Sequence, residues 1–280
     1  MSFVSRYSFA PSRLWAVAVV AVLLGTPGAV IAHDDVVPYL DLLTNRLRTG
    51  GYDDPADTYS VAQRVFGYDF GEDELDPWII RDPGFNNDEP LIITNFPNGG
   101  LLPASRNLFF SVFGGPYGSL HYWGGNGSPA FSPVTDGTEI IIDSGTPFLR
   151  IGATTTSGSI NIVTTGTGRV HDHIESLIGS GGSGAGFATN GAPNGFYAFG
   201  ATLSLSGTSP TYGASDPIYF VYNVGMSESL HDEAIDFYNV QVVPEPSSLA
   251  LAGIGAVGAG LAGLRSRQRR SRQKAGKNLA

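Results

Sequence analysis

Five histidines are spread over 280 residues, and two of them stand one residue apart in Arg169-Val170-His171-Asp172-His173-Ile174-Glu175. Neutral imidazole is the commonest protein ligand for a metal ion, and carboxylates complete many zinc sites. On an extended strand alternate side chains share a face, so His171, His173 and Glu175 would form one row. The two histidine Cα atoms would then lie about 6.5–7 Å apart, close enough for both imidazoles to converge on one ion. Three ligands from five consecutive residues do not all reach a single ion, so a further ligand must come from elsewhere. The candidates are His231, inside the acidic run Glu228–Glu233, His121 in Leu120–Trp123, and His33. If the chain is cut after Ala32, His33 carries a free α-amine beside its imidazole. The opposite row, Val170, Asp172, Ile174 and Ser176, is mixed and does not say which face is inward. Hydrogen-bonded or solvated strand histidines are therefore the plainer alternative.

The elements that would position these residues read as β. Between 36 and 242 the chain alternates short β-branched or aromatic runs with Gly, Pro, Asn and Ser. Strands are predicted near 37–42 and 46–50, joined by a Thr44-Asn45 turn. Others are predicted near 60–68, 90–94, 106–113, 118–123, 137–143, 148–152, 158–164, 169–178, 194–206, 216–223 and 238–243. That density of turns, with no sustained helical period, predicts an all-β fold, an antiparallel sandwich or jelly roll. One short helix is expected at Ser229–Phe237, capped by Ser227 or Ser229 and opened by acidic residues. Residues 69–90 and the glycine-rich 179–195 read as loops.

Other chemistries are weakly supported. The chain has no cysteine, which removes thiolate ligands, disulfides and cysteine nucleophiles. It has no Gly-x-Ser-x-Gly, His-Glu-x-x-His or phosphate loop, and an acid pair such as Glu72 and Asp76 is expected by chance, so no enzymatic activity is expected. The two histidines do not fit a cupin, which wants its glutamate four or five residues beyond the second histidine, where Glu175 is two beyond. Calcium is the second metal candidate: Asp69, Glu72, Asp73, Glu74 and Asp76, or Asp53, Asp54 and Asp57, offer the oxygen ligands it takes. Trp78, Tyr117, Tyr122 and Trp123 could instead stack on sugars. The alternative function is thus a glycan- or matrix-associated adhesive or structural protein, with exopolysaccharide as its partner.

The two ends read as addresses. Arg6 and Arg13 precede the apolar run Leu14–Leu24, and Val30 and Ala32 form a small-residue cleavage site, so 1–32 is read as a secretory signal for signal peptidase. At the other end Ser247–Leu264 is uncharged, long enough for a spanning helix, and followed by seven basic residues from Arg265 to Lys277. The exported part is 33–243 and the sorting segment is 244–280. Nine of the sixteen basic residues sit in these two ends. From His33 to Glu245 there are 25 acidic residues against seven arginines, a formal −18 without a lysine. Such a surface repels nucleic acid and attracts cations.

Pro244-Glu245-Pro246, the apolar stretch and the arginines beginning at Arg265 resemble, in order and position, the PEP-CTERM sorting signal of bacterial exported proteins. The resemblance implies processing by an exosortase-type enzyme, transient anchoring in the inner membrane through the C-terminal helix, and then the cell surface or the extracellular space. The body carries a second resemblance. Its successive pieces are Arg48–Asp54 (RTGGYDD), Arg64–Asp73 (RVFGYDFGED), Asp82–Phe85 (DPGF), His171–Gly179 (HDHIESLIG), Gly195–Thr208 (GFYAFGATLSLSGT) and Ser215–Phe237 (SDPIYFVYNVGMSESLHDEAIDF). They resemble, in this order, a family of PEP-CTERM proteins repressed by the zinc-uptake regulator. That resemblance implies zinc capture or buffering outside the inner membrane, with recurrent ligands falling on His171, His173, Glu175 and His231, and no attached catalysis.

Overall fold

The computed structural model describes residues 34–243, apart from 54–55, 62, 72–74, 114–115, 144–147, 155–158, 181–191 and 208–210. The signal segment, His33 and the whole Pro-Glu-Pro tail lie outside the described residues, as do Asp54 and the Glu72–Glu74 acids. What is described is an all-β body of three sheets with two short helices.

The first sheet is built on a hairpin. Strands β1 (Asp35–Asp41) and β2 (Arg46–Asp53) pair antiparallel from Asp35↔Tyr52 to Asp41↔Arg46. The turn between them closes because Asp41 Oδ1 accepts the Leu43 and Thr44 N–H groups, Asp41 Oδ2 accepts the Thr44 hydroxyl at 2.7 Å, and Asn45 takes a left-handed φ of 52°. Strand β3 (Thr58–Ser60) extends β2, and β7 (Gly99–Gly100) pairs with the end of β1. On the other side of β1 lies β6 (Gly84–Asn86), parallel to it, and beyond β6 lies β14 (His171–His173), antiparallel.

The second sheet centres on β16 (Gly195–Leu205) and β17 (Ile218–Val224). Strand β4 (Val65–Phe70) runs parallel to β17, while β8 (Asn107–Val112) and β9 (His121–Trp123) flank β16 along successive parts of its length. Strands β13 (Ser159–Val163) and β10 (Ser132–Pro133) complete it. In the third sheet β11 (Thr138–Asp143) lies between β12 (Leu149–Ile151) and β15 (Glu175–Ser180), with β5 (Ile79–Ile80) beyond β15.

One apolar core draws side chains from all three sheets: Val36, Leu40 and Leu47 from the first, Phe66, Phe110, Phe199 and Phe220 from the second, Ile140, Ile142 and Ile178 from the third. Phe220 is its centre, in ring contact with Phe66, Phe110 and Phe199 at 5.3–5.9 Å. Strand β17 is buried at every residue, because helix α2 (Glu228–Phe237) covers its outer face and the core takes the other.

Two predicted strands are absent, and both are helical. Residues 90–94 fall in α1 (Glu89–Asn95), where Pro90 presets the backbone of the first turn and Ile92 is buried while Ile93 faces water. The apolar run Leu91–Ile93 that read as a strand is thus split between the two sides of this helix. Residues 238–243 continue α2 through a wider π-type turn, Tyr238–Val242, which buries Tyr238. Conversely, the stretch read as a loop at 69–90 contains β5 and β6, too short to show a period.

Candidate metal centre

The strand predicted at 169–178 is two strands. Its first part, β14, ends the first sheet, and its second part, β15, belongs to the third. The change of sheet occurs at Ile174, which is fully buried and donates its N–H to the Pro83 carbonyl at 3.2 Å. Asn87 fixes the entry to β14: its Oδ1 accepts the Val170 N–H at 2.5 Å, its Nδ2 donates to the Gly168 carbonyl, and its own N–H donates to the Val170 carbonyl. This clamp places His171 opposite Asn86 and His173 opposite Gly84.

His171 and His173 share a face, as their spacing requires, with ring centroids 5.5 Å apart and both side chains exposed. Glu175 does not join them. It pairs in register with Asp143 in the third sheet, because the crossing at Ile174 ends the alternation on which the three-residue row depended. The residues that join His173 are Asp35 and Asp82. One carboxylate oxygen from each and one imidazole nitrogen lie within 4.8 Å of one another.

Gly84 makes this meeting possible. A Cβ there would stand 1.9 Å from Asp35 Oδ1 and 3.0 Å from His173 Cε1, so the two side chains converge over a backbone that has none. Asp82 is anchored from behind: its carbonyl accepts the Ser176 hydroxyl at 2.5 Å, and Ser176 Oγ is 3.1 Å from the Tyr222 hydroxyl. Burial pushes the Tyr68 hydroxyl well above the ordinary tyrosine range, and the charges of Asp82 and Asp35 act in the same direction, as does the neighbouring Tyr222. Beside the cluster, His171 borders a cleft lined by Asn86, Asp88 and Arg169, with Arg169 paired to Asp88 at 3.5 Å.

His231 lies elsewhere, on the buried side of α2, and groups with Asp69 and Glu228. His121 is buried with Nδ1 2.8 Å from the Ser119 carbonyl, and enters neither cluster. Among the described residues Asp69 is thus the one member of the calcium-candidate loops that joins a group, whereas Asp53 Oδ1 serves its own turn by accepting the Ala56 N–H. Of the candidate sugar platforms, Trp123 is 4% exposed and stacks on Phe196, and Tyr122 packs on Tyr197 while its hydroxyl donates to the Asn194 carbonyl.

No family model, curated protein or solved structure matches this chain.

Sequence reasoning did not find Asp35 and Asp82. Asp35 stands beside Asp34 and Asp82 beside Pro83, and nothing in their spacing ties them to the histidines. Their meeting depends on the order β14-β6-β1, which no local pattern announces.

Proposed function

We propose that this chain is an exported, surface-sorted β-sandwich protein that binds zinc and captures or buffers it outside the inner membrane. The observation that carries the reading is the convergence of His173, Asp35 and Asp82 over the bare backbone of Gly84. One imidazole and two carboxylates form a set that zinc accepts, and neutral imidazole argues against calcium, which takes oxygen ligands. Donor atoms around a tetrahedral zinc stand about 3.3 Å apart, a separation inside the 4.8 Å that bounds the three donor atoms here. His171, on the same face, or water supplies the fourth position. Two carboxylates neutralise the ion's charge.

A site at the exposed edge of a sheet, open to solvent, suits exchange better than permanent storage, and the formal −18 between His33 and Glu245 raises the local cation concentration. The sorting segment and the body's resemblance to zinc-regulated PEP-CTERM proteins give the same direction. Exosortase-type processing of 244–280 and a transient anchor at 247–264 belong to this proposal, as does the absence of catalysis. The test is zinc retention by cells held at limiting zinc, comparing the parent with a His173→Ala/Asp35→Asn variant displayed at equal level. The parent is expected to retain more zinc outside the cytoplasm. Equal retention would transfer the function to glycan or matrix association.

A further inference from the structure

The geometry points to a second, buried transition-metal site formed by Asp69, Glu228 and His231, which pins helix α2 to the second sheet. It goes beyond the exchange site at His173 and does not depend on it. Among the described residues these three again place a carboxylate oxygen, a second carboxylate oxygen and an imidazole nitrogen within 4.8 Å of one another.

The decisive group is His231, which is 0% exposed. Its Nε2 lies 3.0 Å from the Val221 carbonyl, which only accepts, so Nε2 carries the proton. In the neutral ring Nδ1 is then a bare lone pair. That atom is buried without a hydrogen bond and stands 3.3 Å from Asp69 Oδ1. A lone pair facing a carboxylate is repulsive unless a cation lies between them. A second ring proton on Nδ1 would answer the charge but would be expected to form the aligned hydrogen bond that is missing. A ligating histidine whose other nitrogen donates to a backbone carbonyl is the usual arrangement of a metal site.

The surroundings are built to hold these donors. Asp69 in β4 lies in register with Asn223 in β17, and Asn223 Nδ2 donates to Asp69 Oδ1 at 2.6 Å. Asn223 is itself held by Met226, whose N–H it accepts and to whose carbonyl it donates. The His231 ring lies against Phe196 at 5.8 Å and over Gly67, where a Cβ would stand 3.1 Å from Nε2. Glu228, exposed in the first turn of α2, closes the group from the solvent side. One nitrogen and two oxygens suit zinc or another divalent first-row ion.

The test is zinc stoichiometry of the full chain by equilibrium dialysis against zinc sulfate. It compares the parent, His171→Ala/His173→Ala, and that double variant carrying Glu228→Gln or Asp69→Asn as well. Glu228 is exposed, so its replacement spares the fold. Two ions are expected for the parent and one for the double variant. Adding Glu228→Gln should weaken that remaining ion by more than the roughly 10–100-fold that loss of a supporting hydrogen bond costs. A parent that binds a single ion, left in place by His171→Ala/His173→Ala and lost with Glu228→Gln, would support the buried site and sink the exchange site. A double variant that binds no zinc, or one whose remaining ion ignores both Glu228→Gln and Asp69→Asn, would overturn the buried site.

Discussion

Gly84 matters for what it lacks. With Asp35 Oδ1 1.9 Å from where its Cβ would be, Gly84→Ala cannot be accommodated by a small adjustment of the strand, which is paired on both sides. The Asp35 carboxylate must swing away, and one of the three proposed zinc ligands goes with it. The variant should bind zinc about 10–100-fold more weakly than the parent while keeping the parent's circular dichroism, a pair of readings that separates loss of the site from loss of the fold. That His171 and His173 share a face was legible in the sequence, because an i, i+2 pair on a strand needs no tertiary information. The acids were not, since they are joined to His173 only by strand order. Glu175 shows the limit of the same rule: alternation holds along one strand, and the chain changes sheets between His173 and Glu175.

At the scale of elements, the β1–β2 hairpin positions Asp35 and is closed by Asp41. The Thr44 hydroxyl, more than any other neighbour, holds the Asp41 carboxyl below its usual range, and the Thr44 and Leu43 N–H groups and Arg48 add to this. A depressed folded-state pKa contributes stability that is present above the unfolded value of about 3.9 and is lost as pH falls through the folded value. Asp41→Ala should therefore unfold at a lower temperature than the parent at pH 7, with the gap narrowing at pH 3. A gap independent of pH would mean that the protonated Asp41 side chain holds the turn as well as the carboxylate does. The hairpin was readable from Thr44-Asn45 between apolar runs, and the C-terminal helix from Ser227 and the acids after it. Helix α1 was not, because Leu91, Ile92 and Ile93 in a row suit either a strand or one buried turn. Proline at its start was the signal that could have decided it.

For the whole molecule, the absence of cysteine leaves the packed interior to hold three sheets together. Phe220→Ala removes the ring that Phe66, Phe110 and Phe199 share, and should cost about 3–5 kcal/mol in urea unfolding. A cost below about 1 kcal/mol would mean that the sheets are stabilised independently. The all-β class was legible because turn residues recur throughout. The division into three sheets was not, because β5, β6, β7 and β10 are only two or three residues long and carry no period of their own. Zinc binding should also show a pH dependence of definite sign. Protons compete with the ion for the imidazole and carboxylate donors, so affinity should fall as pH falls.

The central claim is that His173, Asp35 and Asp82 hold zinc, and calorimetric titration of the full chain beside His171→Ala/His173→Ala tests it most directly. The account predicts micromolar or tighter binding in the parent, with an exchange component that the double variant lacks and that weakens between pH 7.5 and pH 5. Titrations of parent and double variant that superimpose, or a component that persists unchanged at pH 5, would contradict it.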